Sequence, residues 1–306
     1  MKSTKKPKTY SRYESLLRGH VLPRWGRVPV SAVTTAEVEA WLSELRAAGL
    51  SASRTRQAYT VLRGVLDTAV KSRRLVVNPA LGVDLPAMPK GPRRYLSMGQ
   101  LEALAEAAGD YALLVRVLGY CGLRWGEAAA LTVGNCNLLR SRLHIDASLV
   151  DISGKLSVGA PKNDKVRDVP LTRFLREEMA AQVAGRAADE LAFPAPRGGY
   201  LRNGNFRRGW FDPAARQVGL DGLVPHELRH TAASLAITSG ANIKVVQTML
   251  GHSSATLTWD RYGHLYDDDL DSVAERLDAA RVEYLRTSCG LAADCGGDVV
   301  KLESGH

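Results

Sequence analysis

Apolar residues recur at helical spacing along most of this 306-residue chain, and the breaks in that rhythm divide it into parts. Thr34 and Glu37 form the S/T-x-x-E signature of a capping box, and the stretch Ala36 to Ala48 stops at Gly49, so a helix is bracketed at both ends. After Ser51 and Ser53, the residues Ala58, Val61, Leu62, Val65, Leu66, Ala69 and Val70 make one apolar stripe of a second helix. Arg54, Arg56, Arg63, Lys71, Arg73 and Arg74 fall largely off that stripe, as a solvated face or as a phosphate-contacting one.

Between Leu81 and Ser97 the rhythm stops. Pro86, Pro89 and Pro92 alternate with Lys90, Arg93 and Arg94, which reads as a basic linker because proline fixes φ and removes a donor. Ser97-x-x-Gln100 is a second capping box, and helices are expected from there to about Leu131. The period then shortens: Leu143 to Val150, Lys155 to Val158 and Val166 to Val169 read as short strands, with Ser153-Gly154 as a hairpin turn. Helical spacing returns after Thr172 and runs to about Leu285, broken around Pro194 to Gly199 and at Val224-Pro225. Asp268 to Leu285 has an amphipathic pattern, and Ser288 to His306 has none. The expected fold is mostly α with a small antiparallel β-sheet. Its parts are a basic tail (1–9), a helical domain (10–85), the basic linker (86–96), an α/β domain (97–287) and a flexible C-terminal tail (288–306).

Composition narrows the possible functions. Hydrophobic residues at 45% and charged residues at 24% suit a folded domain rather than a disordered chain. The longest apolar run, Ala112 to Leu123, is short of a membrane span and contains Arg116, and the basic N-terminus lacks the apolar core of a secretory signal. A cytoplasmic protein is expected. Cys121, Cys136, Cys289 and Cys295 have no C-x-x-C spacing, which argues for free thiols and against a structural metal. A net charge of +9 favours a polyanionic partner such as nucleic acid.

Three stretches carry chemistry: Gly122-Leu-Arg124-Trp-Gly-Glu127, Pro225-His226-Glu-Leu-Arg229-His230, and Leu250-Gly-His252 with Tyr262 ten residues further on. His226 and Arg229, three apart, share a helix face. Two guanidiniums and two imidazoles suit a phosphoryl group that gains charge in a transition state, and a phenol ionising near pH 10 needs such a site to attack at neutral pH. Together these boxes resemble the tyrosine recombinases of the phage integrase family. The G-L-R-x-x-E box is matched by Arg124 and Glu127, H-x-x-R by His226 and Arg229, and L-G-H by His252. The nucleophile position is matched by Tyr262, and the turn lysine before R-x-V-P-L by Lys162, with Lys165 a competitor.

The resemblance implies a helical core-binding (SAM-like) domain and an α/β catalytic domain clamping duplex DNA, with Arg54, Arg56, Arg63, Lys90, Arg93 and Arg94 on phosphates. It also implies strand transfer through a 3′-phosphotyrosyl bond and a Holliday junction, in a homotetramer, without cofactor or metal. Arg124 and Arg229 would hold the phosphate, His226 accept the phenol proton, His252 donate to the phosphate and Lys162 protonate the leaving oxygen; Glu127 and His230 would support the site. With core-binding pattern from about Tyr10, no arm-type DNA binding is expected. A phage or prophage integrase is the first reading and a Xer-like or mobile-element recombinase the second.

Two rivals come from other classes. His226-Glu-Leu-Arg-His230 matches the H-E-x-x-H of zinc proteases, but the metzincin extension would need Gly and His where Ala233 and Ala236 stand, and Arg124, Lys162 and Tyr262 would have no role. Ala232 to His252 resembles a helix-turn-helix around Ser239-Gly240, which would make the chain a DNA binder without catalysis. Tyr266 lies too far from His252 for the nucleophile and is read as packing, and His264 as a surface residue.

Overall fold

Polar caps and glycines set where helices begin and end. The computed structural model describes residues 7–88, 94–152, 154–161, 166–266, 274–275 and 277–286. In the N-terminal part, α1 (Pro7–Leu16) passes through a π-helical stretch (Leu17–Val21) into α2 (Leu22–Trp25), followed by α3 (Thr35–Ala47) and α4 (Ala52–Lys71). Both bonds of the Thr34–Glu37 capping box form at the start of α3, and Ser51 caps α4. Most of the stripe read from sequence is buried: Ala58, Val61, Leu62 and Leu66 of α4 join Leu16, Val38, Trp41 and Leu42 in one core, with Trp25 edge-on to Trp41 at 6.0 Å, whereas Val65 is exposed. Burying each large apolar side chain contributes roughly 1.5–3 kcal/mol, so this cluster supports a core of its own.

A second core follows. It contains α5 (Met98–Ala107), opened by the Ser97–Gln100 capping box, then α6 (Ala112–Cys121) and α7 (Trp125–Ala130). Strands β1 (Cys136–Asn137), β2 (Arg142–Ile145), β3 (Ser148–Ile152), β4 (Lys155–Gly159) and β5 (Arg167–Pro170) come next. They are followed by α8 (Arg173–Val183), α9 (Asn203–Phe206), a second π-helical stretch (Arg207–Phe211), α10 (Asp212–Gln217), α11 (Pro225–Thr238), α12 (Ile243–Leu250) and α13 (Ala255–Tyr262). The core joins Leu101, Leu104, Leu118, Leu143, Val169, Phe206, Phe211, Leu228 and Leu250, and α6 lies along α11 at its centre.

Both π stretches have one local cause. Each precedes a proline, Pro23 or Pro213, in the pattern Arg-Gly-x-x-x-Pro. Proline cannot donate the i→i−4 bond and its ring crowds the carbonyl four residues back, so the helix widens by one residue there.

The mostly α class with antiparallel strands is as expected, but the strands are arranged differently. Leu143 to Val150 is not one strand: it breaks at Asp146-Ala147, and its halves join different sheets. One sheet has the order β1-β2-β5, all antiparallel, with Leu143 opposite Val169 and Ile145 opposite Arg167. The other is the β3–β4 hairpin, turning at Gly154 as anticipated. Leu143 and Ile145 face the main core, whereas Leu149 packs on Ala129 and Ala130, so the two halves serve two packing surfaces. The helix from Pro7 reaches into the stretch read as a tail. Linker residues 89–93, including Lys90 and Arg93, and the tail 288–306 lie outside the described residues. Among the described residues no helix is long and apolar enough to cross a membrane.

Candidate active site

Two left-handed glycines bring the chemistry together. Gly122 (φ +65°) ends α6 and turns the chain so that Arg124 sits at the N-terminus of α7. A Cβ there would lie 2.8 Å from Leu250 Cδ2 and 3.1 Å from Ala232 Cβ, so both backbone conformation and space demand glycine. Gly251 (φ +62°) ends α12 and presents His252; a Cβ on it would come within 3.0 Å of the Arg167 side chain. These are the glycines of the first and third sequence boxes.

Glu127 is the hub. Its carboxylate is buried and accepts from Arg124 N–H (2.9 Å), Arg124 Nη1 (2.8 Å), Arg167 Nη2 (2.8 Å) and Arg167 Nη1 (3.1 Å). Burial pushes the carboxyl up, but the Arg167 fork and the Arg124 backbone and charge outweigh it and hold it at about 2. Arg124 also donates Nη2 to Gly251 O (3.2 Å), and Arg167 donates Nε to Met249 O (2.9 Å). Arg229, from the buried face of α11, donates Nη1 to Gly122 O (2.5 Å) and Nη2 to Leu250 O. Burial and the Arg124 charge pull the Arg229 guanidinium down to about 9, so it stays cationic at neutral pH. Three guanidiniums thus surround one carboxylate, leaving the pocket net positive. Each is fixed by carbonyl or carboxylate acceptors, the condition under which buried charge is tolerated.

Tyr262 is the last residue of α13 and is fully buried. Its hydroxyl lies 2.7 Å from Nδ1 of His230, one turn beyond His226 on α11, and its ring lies parallel to that of His252 with centroids 6.5 Å apart. His252 pairs Nδ1 with Thr258 Oγ1 at 2.9 Å; burial and then the Arg229 charge depress its pKa to about 4, so the ring is neutral at physiological pH. His226 is exposed, with its ring 5.5 Å from that of His230.

A model of the phage integrase family matches residues 94–269, a span containing every side chain just described. The chain belongs to the phage integrase family. It is 33% identical over 223 residues to tyrosine recombinase XerD of Pseudomonas putida, covering 67% of this chain and 68% of that protein. To the putative prophage phiRv2 integrase of Mycobacterium tuberculosis it is 26% identical over 268 residues, 85% of this chain and 70% of that one. The Tn1549 transposon integrase, solved with a circular intermediate DNA, superposes with a TM-score of 0.78 at 20% identity, over 90% of this chain and 95% of that one. A lambda integrase dimer bound to a core site gives 0.65 at 19% identity, over 85% and 89%. The chain is a tyrosine site-specific recombinase.

In this recombinase the fold gathers Arg124, Glu127, Arg229, His230, His252 and Tyr262 into one pocket. Lys162 and its competitor Lys165 lie outside the described residues. The phenol's contact is with His230, read from sequence as a support, while the proton acceptor is read there as His226. That contact is long-range, set by the seat of α13 against α11. Tyr266 donates its hydroxyl to Ala241 O (3.0 Å) and stacks on Trp259, in keeping with packing.

Four of the six residues expected on phosphates lie among the described ones. Arg56 donates to Pro86 O (2.8 Å) and Arg94 to Asp221 O (2.5 Å). Arg63 is exposed, and on α4 it shares a flank with Arg56, whereas Arg54 projects roughly 160–180° away at ~100° per residue. In the H-E-x-x-H stretch, Glu227 is turned back onto Val224 N–H (2.8 Å) at the start of α11, and among the described residues no three His, Cys, Asp or Glu side chains converge. Sequence reasoning missed Arg167, used there only to align R-x-V-P-L; its signal was one arginine opening a strand.

Proposed function

We propose that this recombinase breaks and rejoins duplex DNA by transesterification at Tyr262, as an integrase of phage or prophage DNA acting in the cytoplasm of its host. The phenolic oxygen attacks a phosphodiester, the bond from phosphorus to the 5′-oxygen breaks, and a 3′-phosphotyrosyl ester and a free 5′-hydroxyl result. The phenol proton passes to Nδ1 of His230, and Lys162 supplies the proton taken by the 5′-oxygen. Arg124 and Arg229 hold the non-bridging oxygens, and neutral His252, with Nδ1 taken by Thr258, offers Nε2–H to the phosphate. Because the ester keeps the energy of the broken bond, attack by another 5′-hydroxyl reseals the strand without ATP. Two such exchanges within a tetramer, separated by a Holliday junction, complete recombination. The α4 and linker arginines add sequence-independent affinity for the DNA.

The observation that carries this reading is a phenol hydrogen-bonded to an imidazole inside a pocket of buried guanidiniums, an arrangement that activates a weak nucleophile and stabilises phosphoryl charge. Likeness to a prophage integrase over 85% of this chain supports the phage setting. The test uses a library of nicked duplexes with randomised flanks and denaturing capture of covalent protein–DNA adducts. Wild type and Tyr266→Phe should form adducts and Tyr262→Phe none while still retaining DNA; an adduct from Tyr262→Phe would overturn the assignment.

A further inference from the structure

Arg167, which opens R-x-V-P-L, spans the pocket from the side of β5. Its fork takes both oxygens of Glu127, at 2.8 and 3.1 Å, and its Nε reaches Met249 O (2.9 Å), one turn before His252. The side chain is buried, and Gly251 leaves it room: a Cβ at Gly251 would press on its Nε at 3.1 Å and its Cζ at 3.3 Å. One guanidinium therefore joins three pieces of chain: the turn bearing Arg124, the turn bearing His252, and β5, whose first residue is Arg167 itself. In sequence, β5 directly follows the segment that carries Lys162. Arg124 contacts the same Glu127 carboxylate and Gly251 O. Its direction is thus set by Glu127, which Arg167 also holds, and by Gly251 O, two residues past the Met249 carbonyl that Arg167 binds.

We infer that Arg167 is a positioning residue of this recombinase, acting on the reacting phosphate through Glu127 and Arg124. The inference rests on the reading of Tyr262 and its pocket given above. Arg167 touches no reacting atom. Its fork keeps Glu127 ionised and square to Arg124, so Arg124 is aimed before DNA arrives. Lysine at this position keeps the charge, but its donors sit on one nitrogen and cannot reproduce the planar fork on Glu127 together with a separate Nε–H for Met249 O.

Loss of a supporting partner of this kind costs on the order of 10–100-fold in activity. Arg167→Met should therefore slow adduct formation on the nicked-duplex library by about that factor, with DNA retention unchanged, and Arg167→Lys should recover part of the rate. The pH profile separates positioning from packing. The charged groups facing Glu127 are Arg124 from its own turn, Arg167 from β5 and Arg229 from α11. With Arg167 gone, Glu127 becomes easier to protonate, so Arg167→Met should lose rate as pH falls from 7 to 5 relative to wild type, and Glu127→Gln in the same chain should abolish that extra loss. Arg167→Met at the wild-type rate, or slowed with an unchanged pH profile, overturns the inference. Should Arg167→Met not fold, Arg167→Lys decides: slowed cleavage with DNA retained supports the role, and wild-type cleavage refutes it. Wild type and Tyr262→Phe run alongside keep the two failures apart, because an inactive wild type or an active Tyr262→Phe strikes the reading of the pocket and the inference with it.

Discussion

On α4, Arg63 stands exposed, no nearer than 4.0 Å to Asp67, while in the pocket Arg124, Arg167 and Arg229 are bound to carbonyls and one shared carboxylate. The side chain is the same but its use differs. An exposed guanidinium supplies charge that salt screens and that another cation nearby can replace. A buried one costs several kcal/mol to desolvate, persists only when its donors are met, and so carries direction as well as charge. Affinity can come from the first region, but only the second can aim donors at one phosphate.

Breaking the hub should give the largest effect. Glu127→Ala leaves Arg167 buried without its carboxylate, so the chain should lose about 3–5 kcal/mol of stability, read by denaturant unfolding, and form no adduct. Arg229→Lys keeps the charge but cannot serve Gly122 O and Leu250 O together, and adduct formation should fall about 100–1,000-fold with DNA still retained. Equal activity from that variant would mean that the buried region, too, supplies only charge.

His230→Phe and His226→Phe sharpen the comparison inside the pocket. The first should cost about 100-fold or more in cleavage and the second much less; the reverse order would return the proton to His226. Acid should weaken the buried region selectively. Between 6.5 and about 4 the unfolded chain binds a proton at His252 that the folded pocket refuses, and between 4.5 and about 2 it does so at Glu127. Stability is therefore lost as pH falls through both windows, by at most about 3 kcal/mol from His252, and His252→Asn should flatten the upper one. The smallest effect belongs to α4. Arg63→Ala should lower DNA affinity a few-fold at low salt and reduce the slope of log affinity against log salt by about 1, leaving the cleavage rate of bound DNA unchanged.

What the sequence made legible follows the same division. Helix starts at Thr34, Ser51 and Ser97 were readable because a cap is a local bond, spanning three residues. The pocket was readable because Gly122 and Gly251 fix two sharp turns that bring Arg124 and His252 to Arg229, and such turns leave a short motif. The break at Asp146-Ala147 was not, since an alternating apolar run does not say which of two surfaces each half will meet. Nor was the contact between His230 and the Tyr262 hydroxyl, which is set by the seat of α13 on α11. Arg167 escaped for a like reason: its partners Glu127 and Met249 are 40 and 82 residues away.

The most direct measurement is the identity of the amino acid joined to DNA. Wild-type recombinase trapped on the nicked duplexes, digested with protease and nuclease and fragmented in a mass spectrometer, should carry its residual nucleotide on Tyr262 through a 3′-phosphate. A nucleotide on Tyr266, attachment through a 5′-phosphate, or a chain that retains the duplexes and never becomes joined to them would contradict the account.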